Sequence, residues 1–512
     1  MMLKPVKNWL KTRFPALATY WRWLSRKATL LYFIKNRRSL LKALSRRYSQ
    51  ADDHSVYFLF VYRGRFPHRL SRSVTKQVCS NCQIVSELDY EAGRLSVPQG
   101  QNTWVCYVLS DMVLAPNALC VLGQAISRYD DALALYCDHV ERSAWYRYAP
   151  SVKPAWSPDY YKAFDYIGPA LWLQEAQFKA AALTPSEYLC SLPSGAVKHL
   201  PLPLVTTYGG TTKESSSRND YSAEYTNTGT VSVIIPTRNA VHLLKPCVES
   251  VRRTVGNLDV ELIVIDNQSD CENTLGYLHE LSTQPNTRVL RYNQPFNFSA
   301  MNNFAVREAK GEVVCLLNND TEAISNGWLE SLVHSALQPG VGCVGAKLYY
   351  PDGRVQHAGV VLGFGGGADH AFKFASNHES GYMNRLVTPQ NYLAVTAACL
   401  AVRKSVFLEV GGLDEQLTVA FNDVDFCLRV VDAGYRNVWL PQAQMLHHES
   451  PSRGADDTPE KSARFQQELT ILKQRWERYI ANDPAYSPWL AKTRHDFAFR
   501  RDSIGLSAAS LR

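Results

Sequence analysis

Several things are missing from this 512-residue sequence, and each absence narrows what the chain can be. No apolar run approaches the roughly 18 to 20 residues that cross a bilayer. The longest stretch near the start, Ala28 to Ile34, is followed by no small-residue cleavage site, which argues against a signal peptide. The first strand-like segments are not followed by GxGxxG, and no GxxxxGK[ST] occurs, so neither a dinucleotide fold nor a P-loop is supported. Cys79-Ser-Asn-Cys82 is a single CxxC with no second pair, which speaks against a zinc or redox centre. The other cysteines sit mostly in apolar runs (Cys106, Cys315, Cys343, Cys399), a pattern of buried thiols rather than of a disulfide framework.

Acidic residues are absent from positions 1–50, which carry thirteen of the 55 Lys and Arg. The remaining 42 basic residues face 47 acidic ones, so all of the net charge of +8 originates in the first tenth of the chain. There Trp9, Leu10, Trp21, Trp23, Leu24, Leu30, Tyr32 and Phe33 are interleaved with Lys and Arg. Such a basic amphipathic segment suits the surface of an anionic membrane; the alternative is a helix packed on the body with a solvated basic face. No nucleic-acid reader motif accompanies the charge, so a nucleic-acid partner is not expected.

Residues 208–230 form a polar linker; from Tyr208 to Gly229 there is no Val, Ile, Leu, Met or Phe to pack into a core. The linker separates a unit at 51–207 from one at 231–455, and a helical tail occupies 456–512. In the tail Thr458-Pro459 reads as N-cap and first helical residue, and Phe465, Leu469, Leu472, Trp476 and Ile480 recur on one helical face. The two larger units look related. Val105-Cys-Tyr-Val-Leu-Ser-Asp111 aligns with Val314-Cys-Leu-Leu-Asn-Asn-Asp320 as a strand ending in an Asp turn before a helix. The first unit is the shorter in its early part and reads as a degenerate accessory copy.

The second unit alternates strands and helices, which implies a mostly parallel sheet with helices on its faces. Ligands of such sheets bind at the carboxyl ends of the strands. Three of those ends are polar: Pro236-Thr-Arg-Asn239, Asp266-Asn-Gln-Ser269 and Asn318-Asn-Asp320.

VSVIIPTRN, ELIVIDNQS, GEVVCLLNNDTE, FNDVDFCLR and LHHES, in this order and spacing, resemble the inverting family 2 glycosyltransferases of the GT-A fold. The nearest likeness is to the branch acting in bacterial O-antigen and other cell-surface polysaccharide assembly. The resemblance covers about 220 residues and implies a nucleoside-diphosphate-sugar donor, a divalent cation (Mn²⁺ or Mg²⁺) and a glycan or lipid-linked glycan acceptor. It also implies roles. Pro236, Thr237 and Asn239 line the nucleotide pocket, and Asp266 accepts hydrogen bonds from the base, with Asn267 and Ser269 shaping its turn. Asn318, Asn319 and Asp320 occupy the family's DxD position. Asn replaces the first Asp there and leaves Asp320 as the only anionic ligand in the motif. His448 is the expected second metal ligand, with His447 nearly as eligible, and Asp423 is the expected general base. Asp425 and Arg429, spaced i, i+4, are expected to pair structurally.

Three looser expectations complete the reading. Ser299 is a possible N-cap beside the donor. Gly363-Phe-Gly-Gly-Gly367 reads as a flexible stretch able to close over the site. Small residues at Ala397-Ala398 and Gly411-Gly412 would let an acceptor sugar approach the backbone. The enzyme is expected in the cytoplasm, peripheral at the inner face of the membrane. The charge-poor DxD position leaves one rival, a non-catalytic sugar-nucleotide-binding scaffold. A nucleotidyltransferase fits less well, because no Lys/Arg-bearing triphosphate loop follows the first strand.

Overall fold

The computed structural model describes residues 29–44, 56–208 (without 80, 96, 99, 109–110 and 143–147), 229–448 and 458–502. Residues 1–28 and the linker at 209–228 lie outside the described residues, and so does the part of the membrane-surface expectation that falls on them.

Val231–Thr237 is apolar on both faces and completely buried at Val233, Ile234 and Ile235, as a central parallel strand between two helical layers must be. It pairs in parallel with Val260–Asp266 on one side and Val313–Leu317 on the other. Thr287–Arg291 continues the parallel set outward from Val260–Asp266. Beyond Val313–Leu317 the sheet turns mixed: Cys399–Arg403 is antiparallel to it and to Val341–Tyr349, Arg436–His447 runs parallel to the latter, and Thr321–Ala323 closes the edge. This is the mixed, mostly parallel α/β sheet expected from the sequence. The four parallel strands bring Thr237, Asp266 and the Asn318–Asp320 turn to one edge.

The sheet of the first unit has the same plan. Its order, Cys82–Ser86, Val56–Tyr62, Asn102–Val108, Leu171–Gln174, Ala134–Arg142, Val197–Tyr208, Asp111–Leu114, reproduces the second sheet strand by strand with the same pattern of parallel and antiparallel pairs. The outermost strand, Thr287–Arg291 in the second unit, has no counterpart among the described residues. The shared strand order is a far stronger likeness than the one aligned strand visible in the sequence.

The tail is helical over Pro459–Ala481, where its apolar periodicity lies, but not over 482–502, which is also expected to be helical. Thr458 caps Pro459–Ala481 by accepting from the Lys461 N–H, and Leu472 and Trp476 are buried. Residues 483–502 then wedge between the units: Ala155 N–H donates to Pro484 O, and the Trp489 indole donates to Pro201 O. The helix at 29–44 lies on this seam. Thr29, Phe33, Leu40 and Leu44 face inward, the Phe33 ring packs at a tilt against Trp489 and Phe499, and Arg37 donates to Pro203 O and the Thr206 hydroxyl. Leu31, Tyr32, Lys35, Arg38 and Lys42 face outward.

Two expectations need correction. Cys79 and Cys120 form a disulfide, although ten other cysteines are free. The glycine run at 363–367 is not an open flap. Gly363, at φ +93°, sits where a Cβ would lie 2.7 Å from Ile480 O, so glycine there permits the C-terminal helix to seat.

Candidate active site

The first-strand loop is tied to its neighbours by the residues singled out above. The Asn267 N–H donates to Thr237 O, and the Asn319 amide donates to the Thr237 hydroxyl at 3.0 Å. Asn239, at φ +49°, donates through its backbone to the Ser269 hydroxyl, and its side-chain oxygen accepts the Asp270 and Cys271 N–H groups. Asn239 and Ser269 thus lock two loops together. Asn267 is buried, and its amide donates to Gln294 O at 2.9 Å and to Tyr292 O. Pro236 ends its strand half-buried, opposite Ile265.

Asp266 is 2% exposed, accepts the Ser269 N–H, and is gripped by the Arg291 guanidinium. Nothing in the sequence alone points to this pairing. The pair leaves Asp266 with lone pairs for a ligand N–H, since a carboxylate offers about four.

At the DxD position the side chains face two ways. Asp320 is 6% exposed, and its Oδ1 lies 3.2 Å from Nε2 of His447, not of His448. His448 instead pairs with Glu322 at 2.7 Å. The cause is strand alternation. Thr321 stands opposite His447 in the antiparallel pair, so adjacent residues 447 and 448 project to opposite faces. His447 Nδ1 donates to Gln356 Oε1 at 2.6 Å, which fixes the ring so that its Nε2 faces Asp320 and the Asn318 amide, 3.4 Å away. Gln356 is buried, and only this contact reveals its role.

No cluster of three or more His, Cys, Asp or Glu side chains able to hold a metal occurs among the described residues. The donor set nonetheless suits a divalent ion shared with a diphosphate: one buried carboxylate, one imidazole with its free nitrogen held in place, and the rest of the shell supplied by phosphate oxygens and water.

Asp423 opens the helix Asn422–Asp432 after Phe421, which adopts φ +61°. Its Oδ2 accepts the Ala397 N–H at 3.0 Å and its Oδ1 accepts the Val424 N–H at 2.8 Å. Burial pushes its pKa above the ordinary carboxylate value despite these bonds. Asp425, two residues on, is fully buried and accepts from Arg429 (2.9 Å), the Trp476 indole (2.9 Å) and Arg475 (3.2 Å), the structural pairing expected of it.

One short segment joins the two halves of the site. Ala397 donates to Asp423, and the next residue, Ala398, accepts the Asn318 N–H at 3.0 Å. The carboxylate at 423 and the Asn318–Asp320 turn therefore flank the same two alanines.

Elsewhere the expectations shift. The helix beside the donor loop is capped by Asn297, not Ser299, whose hydroxyl donates to Leu417 O at 2.6 Å. Gly412 (φ +72°) has its space taken by Asn303, with Oδ1 2.6 Å from a would-be Cβ, so it serves loop packing rather than sugar access.

The sequence profile described as glycosyl transferase family 2 matches residues 232–411. An uncharacterized protein, y4gI, of Sinorhizobium fredii (strain NBRC 101917 / NGR234) is 52% identical over 271 residues, 52% of this chain and 30% of that protein. The O-antigen biosynthesis protein RfbC of Myxococcus xanthus is 31% identical over 455 residues, 78% of this chain and 35% of its own length. N-acetylglucosaminyl-diphospho-decaprenol L-rhamnosyltransferase of Mycobacterium tuberculosis is 36% identical over 81 residues, 16% of this chain and 26% of that enzyme. The chain spans about a third or less of the length of these curated relatives. With the family's profile lying across the strand ends described above, residues 232–411 form a family 2 glycosyltransferase domain.

Proposed function

We propose that residues 231–455 transfer a sugar, with inversion, from a nucleoside diphosphate to a glycan acceptor in cell-surface polysaccharide assembly. The observation that carries this reading is the meeting of Asp423 and the Asn318–Asp320 turn on Ala397 and Ala398. A scaffold needs no half-buried carboxylate on the acceptor side of that bridge.

In this mechanism Asp266 accepts from the base, and Thr237, Asn318 and Asn319 border the ribose and diphosphate. Asp320 and His447 would hold a divalent ion, which supplies positive charge against the leaving diphosphate. Asp423 accepts the acceptor hydroxyl's proton as its oxygen attacks the anomeric carbon; its raised pKa makes it a better base than an exposed aspartate. The O-antigen and decaprenol-linked relatives favour a lipid-linked acceptor. Transfer assays with a panel of UDP-, GDP- and dTDP-sugars, with Mn²⁺ and after chelation, test the reading. No metal-dependent turnover or donor hydrolysis with any of them would overturn it in favour of the scaffold.

The first unit is proposed as a degenerate copy of the second, on the strength of the shared strand order. Where the second unit sets Thr321 opposite His447, the first sets Asp111 opposite Tyr208, with Arg69 3.3 Å from Asp111 and its guanidinium over the Tyr208 ring.

Peripheral membrane association at the cytoplasmic face is proposed on the basic first fifty residues and the outward Leu31, Tyr32, Lys35, Arg38 and Lys42. Because Phe33, Leu40 and Leu44 are part of the core, removing all fifty residues would damage the fold. The triple variant K35E/R38E/K42E, tested for flotation with phosphatidylglycerol vesicles, asks the question without that damage. Unreduced flotation would count against this face.

A further inference from the structure

The family profile ends at residue 411, short of the proposed base and of the helix that follows. Yet the backbone N–H groups of the turn leading to Asp423 are held from that helix. Glu468, in the middle of Pro459–Ala481, is 2% exposed, with Arg464 Nε 4.0 Å from its Oε2. Its Oε1 accepts the Thr418 N–H (2.8 Å), the Thr418 hydroxyl (2.8 Å) and the Val419 N–H (3.0 Å); its Oε2 accepts the Ala420 N–H (2.9 Å). Three successive backbone N–H groups converge on one carboxylate, an anion-binding concavity filled from within the chain. One turn earlier on the same helix face, Phe465 packs on Phe421, whose left-handed backbone connects the clamped residues to Asn422 and Asp423. Further along, Arg475 and Trp476 hold Asp425. The one helix therefore grips the chain immediately before and after Asp423.

We propose that Glu468 is a positioning residue for the reaction: it fixes residues 418–420 so that the left-handed turn at Phe421 presents Asp423 to the acceptor hydroxyl. The proposal rests on Asp423 being the base. A buried carboxylate is costly to desolvate, and a hydrophobic residue at 468 would secure the helix as well. What the carboxylate supplies is a set of charge-assisted bonds to a segment that has few other contacts with regular structure. On the other side Ser299 donates to Leu417 O and the Phe298 N–H donates to Thr418 O, and the Asn422 amide bonds to Leu417 O and Val419 O from within the turn. Residues 417–420 are thus clasped between the donor-side helix and the C-terminal helix. An amide at 468 offers one oxygen to donors that now share two, and turns its NH₂ toward an N–H.

The test uses full-length E468Q, E468D and D423N. Hydrogen exchange should accelerate about tenfold or more at amides 418–420 in E468Q, while the strands at 231–237 and 260–266 keep their protection. Mn²⁺-UDP affinity should stay within about twofold, and kcat with the donor chosen from the panel should fall about tenfold or more, with E468D intermediate. Unchanged exchange at 418–420, or acceleration spread evenly over the domain, would overturn the clamp. Faster local exchange with unchanged kcat would overturn its role in positioning. If E468Q loses turnover and D423N does not, the clamp stands and the assignment of the base fails.

Discussion

Asp423 and Asp425 stand two residues apart on one helix, and their surroundings predict that removing one costs rate while removing the other costs stability. Asp425 is completely enclosed. Truncating it to Ala strands the Trp476 indole N–H, buried with no other acceptor at hand, at about 1–3 kcal/mol. Arg429 and Arg475 are a quarter and a third exposed, so water rescreens them and their loss adds about 1 kcal/mol together. The total is roughly 3 kcal/mol, or about 6–12 °C in Tm for a cooperative unit of this size. Asp423→Asn should behave oppositely. Burial already disfavours its charge, so the fold prefers the neutral form, and ionisation near pH 7 is a cost that the amide avoids. Against this, one N–H, of Ala397 or Val424, loses its acceptor, and the two effects nearly offset. The rate should drop about 10²- to 10⁴-fold, the usual worth of a general base. Differential scanning calorimetry and initial rates at saturating donor, measured on both variants, decide the matter. A stable Asp425→Ala protein, or an Asp423→Asn protein with near-normal turnover, would refute the division of labour.

His447→Ala should weaken Mn²⁺ binding in the presence of UDP by about tenfold or more, and His448→Ala should leave it within about twofold, as read by titration calorimetry. Equal losses would mean the strand register does not select the ligand. The acid limb of kcat/KM should lie above the ordinary aspartate pKa of 3.8, because transfer needs ionised Asp423 and its pKa is raised; a limb at or below 3.8 would exclude it. Lys347 is buried against Leu386 O, and burial lowers its pKa from 10.5 to about 8. Below pH 8 the charged amine is held at a cost of about 3 kcal/mol, relieved as pH rises from 8 toward 10.5. Lys347→Met should therefore raise the urea midpoint at pH 7 and gain less at pH 10; an equal gain at both would point to packing alone.

Local chemistry was legible in the sequence. The polar strand ends at Thr237, Asp266 and Asn318, the i, i+4 pair of Asp425 and Arg429, the Thr458 cap and the Phe465–Ile480 face all follow from periodicity or propensity, which act over a few residues. What stayed hidden was decided by pairing across long separations. His447 and His448 are equivalent until Thr321–Ala323 sets the register of the strand beside them. Arg291 meets Asp266 only because parallel strands align their ends. Gly363 reads as part of a flexible stretch and Gly412 as room for an acceptor sugar, yet each is a close approach between segments distant in the chain.

Glu468 is the sharpest case of this kind. In sequence it is one of several charged residues on a helix whose apolar stripe is complete without it, and its i, i+4 spacing from Arg464, whose Nε lies 4.0 Å away, gives no hint of the loop it binds. Its partners, Thr418 to Ala420, are about fifty residues earlier, in a stretch with no regular structure. The need arises only on folding, when three backbone N–H groups that no strand or helix can satisfy are brought under the C-terminal helix. Buried donors must be paired, and a carboxylate is the side chain that pairs several at once. A glutamate buried on a docking face thus marks an irregular segment held in place, and here that segment leads directly into Asp423.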